Sequence, residues 1–242
     1  MKKALITGVL GGIGSALAQA FREAGYYVYG LDVQHSDNHQ ADRLIQFDLH
    51  QFSTNEEYRN EWKHTFNVLI PELHVLINNA AVQMLGSLDD LKLSDWNHTM
   101  AVNLTGPLLL SQHFLEPLED VNGCIVNIGS IHQQLTKRRF ISYATSKSAL
   151  IGLTKALAVD LEGRVRVNAI SPAAIETDML LAGFNGNPSA LDELRKIHPV
   201  QRIGYPKDVA KLALFLASEG SGFIHGANLS LDGGISSVLK DL

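Results

Sequence analysis

Apolar residues fall in short unbroken blocks that alternate, from end to end of the chain, with longer stretches of helical period. Residues 3–7 read as a short buried strand, and residues 13–24 as a helix with Leu17, Ala20 and Phe21 on its inner face. A second strand spans 26–31 and ends in Asp32; a third starts at Leu44 and runs out through Phe47, Asp48 and Leu49. Between them, residues 35–43 are polar and carry no apolar stripe, so the crossover there is predicted to be short or to lack a helix. Residues 54–70 predict a helix that buries Phe66, Leu69 and Ile70, with Glu56, Glu57, Arg59 and Lys63 on a solvated face.

The second half repeats the alternation. Residues 74–81 read as a fourth strand finishing in amides and small side chains, which leave room for a ligand at its carboxyl end. A long helix from Ser94 through Glu116 carries Asn103 near its middle, where an amide is disfavoured by propensity and needs partners. Residues 123–130 form a fifth strand, apolar on both faces as a central parallel strand should be, and bring Ser130 to the same sheet edge. A helix through Tyr143, a sixth strand at 164–170, a helix at 206–218 with Pro206 in its first turn, and a last strand at 227–231 complete the pattern. Residues 173–200, rich in Gly, Asn, Pro and Ala around a short helix at 190–197, read as a substrate lid. The whole predicts an α/β fold: one Rossmann-type, doubly wound parallel sheet of about seven strands flanked by helices, with residues 1–242 as a single unit.

Chemistry enters at the first turn. Gly8, Gly12 and Gly14 lie between the first strand and the first helix, where glycine permits a tight turn and close approach of a pyrophosphate to the helix N-terminus. Asp32, at the end of the next strand, is placed to accept hydrogen bonds from an adenosine ribose and to repel a 2′-phosphate, which favours NAD over NADP. Asp48 is a candidate contact for the adenine. Tyr143 and Lys147 stand four apart, hence on one helix face. Alone they are an ordinary surface pair. A tyrosine titrates near ~10, and proton exchange near neutrality requires lowering that by about 4 kcal/mol, which one ammonium at about 4 Å in an effective dielectric of about 20 supplies.

Composition narrows the field. A net charge of −5 gives no general attraction to nucleic acid or to an anionic membrane, and no apolar run approaches the ~18 residues of a span. The start superficially resembles a secretory leader, but Thr7 and the following glycines interrupt its apolar core. Cys124 is the single cysteine, which excludes an intrachain disulfide and fits a reducing, cytoplasmic address. The ten histidines are scattered without metal-ligand spacing, so no metal is expected. Lys137, Arg138 and Arg139 form one basic cluster, read as a solvated or subunit-contact loop.

The ordered set of motifs resembles the classical short-chain dehydrogenases/reductases over essentially the whole chain. Thr7-Gly8, then Gly12-Ile13-Gly14, is similar to that family's cofactor turn, and Asp32 to its NAD-selecting acid. Asn78-Asn79-Ala80 is similar to its Asn-Asn-Ala-Gly motif with Ala81 in place of the glycine, and Pro172 to its Pro-Gly motif with Ala173 in place of the glycine. Asn103, Ser130, Tyr143 and Lys147 match its catalytic tetrad, while Ile175 and Thr177 fall where the family contacts the nicotinamide. The resemblance implies reversible hydride transfer between NAD and a small secondary alcohol or ketone. In that scheme Tyr143 is the acid/base, Lys147 lowers its pKa, Ser130 holds the substrate oxygen, and Asn103 holds a water. It also implies a homotetramer, or a dimer, through the helices carrying Asn103 and Tyr143. The pocket is expected to be lined by Ile131, His132, Gln133, Leu135 and residues 179–184. Two alternatives remain: an NADPH-linked reductase of 3-oxoacyl groups on an acidic carrier that Arg138 and Arg139 would meet, and a non-catalytic dinucleotide-binding sensor or scaffold.

Overall fold

The computed structural model describes residues 1–184 and 187–239. Positions 185 and 186, within the predicted lid, lie outside the described residues, as does the side chain of Met179.

The seven apolar blocks pair into one parallel sheet: β1 (Lys3–Thr7), β2 (Tyr27–Asp32), β3 (Arg43–Gln46), β4 (Val75–Asn78), β5 (Cys124–Ile128), β6 (Arg166–Pro172) and β7 (Asn228–Leu231). They stand in the order β3-β2-β1-β4-β5-β6-β7. The chain therefore builds outward from β1 in one direction, then returns to β1's other side, and the reversal between β1 and β4 opens a crevice at the strands' carboxyl ends. Because side chains alternate along a strand, each strand feeds both faces. Leu5, Leu76 and Ile125 enter a core with Phe47, Phe52, Phe66 and Phe114; Ala4, Ile6, Val75, Ile77, Cys124 and Val126 enter the opposite one with Leu17, Phe21, Val209 and Leu216.

On that second face α1 (Gly12–Glu23) packs against the late helix α10 (Pro206–Ala217). The first face holds α2 (Leu49–Thr54) and α3 (Glu56–Leu69), then α4 (Leu93–Met100), α5 (Gly106–His113), α6 (Leu115–Glu119) and α7 (Ile141–Asp160). Two short helices, α8 (Asp178–Ala182) and α9 (Pro188–Ile197), occupy the predicted lid. As anticipated, no helix joins β2 to β3.

Three departures from the sequence-based expectation have local causes. The third strand stops at Gln46 because Asp48 caps a helix: its Oδ1 accepts from the amides of His50 and Gln51 at 2.9 and 3.1 Å. The predicted helix 54–70 starts only at Glu56, since Asn55 breaks away to cap α3 through the Tyr58 amide at 3.2 Å. The single helix expected from Ser94 to Glu116 is interrupted by a π-helical turn, Ala101–Thr105, between α4 and α5. Both alanines that stand in place of glycines are unstrained, because the non-glycine residues with positive φ are Asn122, Arg139, Glu162 and Gln201.

Phe66 is the hub of the first core, with ring centroids of Phe47, Trp62 and Phe114 at 5.4, 5.2 and 5.3 Å. Emptying its site removes contacts that the surrounding aromatic rings cannot collapse to replace. Phe66→Ala should cost about 3–5 kcal/mol, and at about 2–4 °C per kcal/mol for a chain of this size calorimetry should record a large fall in Tm. A Tm within about 2 °C of wild type would show that the aromatic cluster does not behave as one packed unit.

Candidate active site

The crevice between β1 and β4 is closed at its floor by backbone packing. Gly8 has φ +64°, and a Cβ placed on it would lie 2.9 Å from Ala80 Cα; a Cβ on Gly14 would lie 2.0 Å from the Gly8 carbonyl oxygen. Thr7, at the end of β1, ties the two strands together: its Oγ1 accepts from the amides of Asn79 and Ala80 at 3.0 and 2.9 Å. Asn79 answers with its side-chain amide, which donates to the carbonyls of Thr7 and Gly8 at 2.9 and 3.1 Å. The α1 N-terminus opens on Gly11 with no side-chain cap and no acid in its first turn, so its amides meet no competing carboxylate. Half-buried Ile13 follows Gly12 in that turn. Asp32 reaches the same loop, accepting from Leu10 N at 3.0 Å through Oδ2 and from Gln34 N at 3.1 Å through Oδ1. Asp48 stands at the outer end of the crevice with its Oδ1 committed to the α2 cap.

One strand further, β5 ends at Ile128 and delivers Ser130, which is buried. Beneath it a polar crossbar links the elements that carry the site: Asn78 Nδ2 donates to Asn127 Oδ1 at 2.8 Å, and Asn127 Nδ2 donates to Thr154 Oγ1 at 2.9 Å. Tyr143 and Lys147 lie on the first turns of α7, one helical turn apart. The Lys147 ammonium is fully enclosed and donates to the Ile128 carbonyl at 2.8 Å. It stands 5.7 Å from the centroid of the Tyr143 ring. Burial alone lowers its pKa to about 8. Burial pushes the Tyr143 phenol up, and the Ser130 hydroxyl beside it pulls the other way. The expectation that Lys147 brings the phenol down is therefore not met by the chain on its own: desolvation dominates, and the ammonium is directed at a backbone carbonyl.

Asn103 lies inside the π-helical turn, 1% exposed. Its Oδ1 accepts from Val82 N at 2.8 Å, and its Nδ2 donates to Val82 O at 2.9 Å and to Ser146 Oγ at 3.0 Å. Ser146 Oγ in turn donates to the Tyr143 carbonyl at 2.7 Å. The side-chain amide is thus committed to Val82 and Ser146. It fixes the segment after β4 against the helix that carries Tyr143. Ser146 is a positioning residue that pattern reading missed, and Thr7 was read only as part of the glycine turn and not as the tie between β1 and β4. A hydroxyl directly ahead of the first glycine was the available signal for Thr7; Ser146 had none.

The far wall is made by the segment after β6. Pro172 ends that strand, and Ala173 N donates to Leu231 O at 3.1 Å. Ile175 is buried and bridges to Gly204, while Thr177 lies over the glycine turn, its Cγ2 being 3.0 Å from where a Cβ on Gly12 would stand. Thr177 also caps α8 through the Leu180 amide at 3.3 Å, a helix the sequence did not reveal. The site therefore brings together the ends of β1, β4, β5 and β6 with the start of α7. Within the basic cluster, Arg139 pairs with Asp90 at 3.0 Å and Lys137 sits 4.6 Å from the centre of the Phe140 ring. No group of three or more potential metal ligands occurs among the described residues.

Comparison with known proteins agrees with this arrangement. A family model described as Enoyl-(Acyl carrier protein) reductase matches residues 8–236. An NAD-dependent glycerol dehydrogenase of Listeria innocua is 33% identical over 242 residues, covering 96% of this chain and 93% of the relative. A D-threitol dehydrogenase of Mycolicibacterium smegmatis is 32% identical over 245 residues, covering 96% of this chain and 92% of the relative. Among solved structures, the ligand-free aldohexose dehydrogenase of Thermoplasma acidophilum superposes with a TM-score of 0.91 at 30% identity, covering 100% of this chain and 96% of the other. With the parallel seven-stranded sheet, the glycine turn and the Ser130, Tyr143 and Lys147 cluster already in place, these likenesses identify the chain as a member of the short-chain dehydrogenase/reductase family of NAD(P)-dependent oxidoreductases.

Proposed function

We propose that the chain is an NAD-linked dehydrogenase of a small secondary alcohol, working reversibly on the corresponding ketone. The observation that carries this reading is the convergence of Ser130, the Tyr143 phenol and the enclosed Lys147 ammonium at the sheet edge beside the glycine turn. The residues present fit a dinucleotide: the turn has no room for side chains at Gly8 and Gly14, the α1 amides are uncapped, and a carboxylate stands at the end of β2. Bound NAD supplies the hydride-accepting carbon and, when oxidised, a positive charge that favours the phenolate.

The chain's own residues do the rest. Gly8, Gly12, Ile13 and Gly14 seat the pyrophosphate; Asp32 takes the adenosine ribose and selects against a 2′-phosphate; Asp48, Asn79 and Ala80 line the adenosine side. Pro172, Ile175 and Thr177 flank the nicotinamide, and α8 and α9 serve as the lid of the substrate pocket. Ser130 donates to the substrate oxygen and orients it, and Tyr143 takes the hydroxyl proton as the carbon–oxygen bond becomes a carbonyl and the hydride leaves. Lys147 holds the nicotinamide ribose, and Asn103 fixes the geometry through Val82 and Ser146. The carrier-linked alternative is not favoured, and Arg139 is already paired with Asp90. Exposed Leu108 on α5 and Val159 on α7 support assembly through these helices as a homotetramer or a dimer. The single buried cysteine supports a cytoplasmic address, and no described helix is long and apolar enough to cross a membrane.

Three outcomes test this reading. Tyr143→Phe should lower kcat by about 10²–10⁴-fold with NADH affinity retained; undiminished turnover would remove Tyr143 from the chemistry. Saturating NADH should raise the unfolding free energy by about 2.7 kcal/mol at a hundred times its Kd, NADPH should do less, and Asp32→Ala should narrow the gap. A larger effect of NADPH on the wild type would reverse the cofactor assignment. The third concerns Lys147, whose pKa is depressed in the fold. Its buried charge costs stability at every pH below about 8, and the cost fades as pH rises toward the ordinary lysine value of about 10.4. That cost is about 3 kcal/mol, so Lys147→Met should abolish turnover yet leave Tm at pH 7 equal to or above wild type. A Tm several degrees lower would mean that the bond to Ile128 outweighs desolvation.

A further inference from the structure

Beside the reacting pair lies a ring that the roles above leave without a task. His132 follows Ser130 by two residues, and its backbone amide donates to Ser130 Oγ at 3.2 Å. The imidazole stacks on Phe140 with centroids 4.5 Å apart and planes inclined by 20°, and meets the Tyr143 ring edge-on at 5.7 Å and 78°. Phe140 also meets Tyr143 edge-on at 6.1 Å. The loop that supplies Phe140 is fastened from outside: Gly86 N donates to Arg139 O at 2.9 Å, Arg139 pairs with Asp90, and Ser142 Oγ donates to Met84 O at 3.1 Å. His132 is therefore held in place against both groups that meet the substrate oxygen.

Its hydrogen-bonding capacity is only partly used. Nδ1 stands 3.3 Å from Thr136 Oγ1, and Nε2 has no protein partner among the described residues. Burial, with Lys137 nearby, takes its pKa down to about 4, so the ring is neutral at neutral pH. A neutral imidazole offers one donor and one acceptor, which suits a hydroxyl, itself donor and acceptor, and gives a carboxylate no charge to pair with. An oxygen held between Ser130 and Tyr143 brings the next carbon of the substrate toward His132, whose amide bonds Ser130 and whose ring meets Tyr143.

We propose that His132 is a specificity-determining residue whose Nε2 hydrogen-bonds a second substrate hydroxyl, on the carbon adjacent to the one oxidised, so that the substrate class is a vicinal diol or polyol. This rests on the NAD-linked dehydrogenase reading above. A site equipped to bond a hydroxyl discriminates strongly against the analogue that lacks it, because its polar group is then left unpaired.

The test compares 2,3-butanediol with 2-butanol as NAD-linked substrates of the full chain. Wild type should favour the diol in kcat/KM by about 10²-fold. His132→Phe, which preserves the stack on Phe140, should lower kcat/KM for the diol about 10–100-fold, chiefly through KM. It should leave 2-butanol within about threefold of wild type, and His132→Gln should restore part of the diol preference. A KM effect confined to the diol is one that a merely structural role would not produce. Equal losses on both alcohols, or no loss on either, would overturn the proposal. A wild type that oxidises 2-butanol without preferring the diol would overturn it while leaving the dehydrogenase reading intact. Turnover of neither alcohol by protein that NADH still stabilises would remove both.

Discussion

No side chain can stand between the first strand and the first helix. The 2.0 Å separation between a hypothetical Gly14 Cβ and the Gly8 carbonyl means that β1 and α1 meet backbone to backbone, and that contact sets where everything near the crevice lies. It brings Gly8 against Ala80, which lets Thr7 and Asn79 stitch β1 to β4 with four short bonds. Through the crossbar of Asn78, Asn127 and Thr154, the position of β4 is passed on to β5 and α7. Ser130, Tyr143 and Lys147 inherit their positions from glycine packing two strands away.

The electrostatics of the crevice follow from burial more than from charge pairing. Tyr143 is pushed toward its protonated form, Lys147 toward losing its proton, and His132 is held neutral, all by removal from water. Charged side chains such as Arg139 and Asp90 pair with each other outside, on the exposed loops. An enclosed ammonium whose hydrogen-bond partner is a backbone carbonyl is a costly arrangement, one that a ligand able to share the charge would relieve.

Much of this was legible from the chain. The strands stood out because a central parallel strand is apolar on both faces, and the polar tract after Asp32 correctly announced a crossover without a helix. The order of the motifs placed Asn103, Ser130, Tyr143 and Lys147 near one sheet edge, where the structure has them. Short helices were missed where capping, not periodicity, defines them: Asp48 and Thr177 look like loop residues until their side chains are seen holding amides. The upward direction of the Tyr143 shift was not legible because it comes from burial of the phenol, which the spacing of Tyr143 and Lys147 does not show. Ala81 and Ala173 can stand in place of glycines for a reason invisible in sequence, since neither position has positive φ.

The π-helical turn at Ala101–Thr105 puts a phase slip into what would otherwise be one regular helix. A π turn carries one residue more than an α turn, so the two halves of the helix face the sheet with an angular offset of about 100°. That offset lets α4 and α5 each bury their own stripe while the wide turn between them leaves Asn103 pointing at Val82 and Ser146. Deleting one residue here would heal the helix and misalign it: everything from Gly106 onward would rotate by that angle. A region that reads by its apolar pattern as one continuous helix is thus among the least tolerant of a change in length.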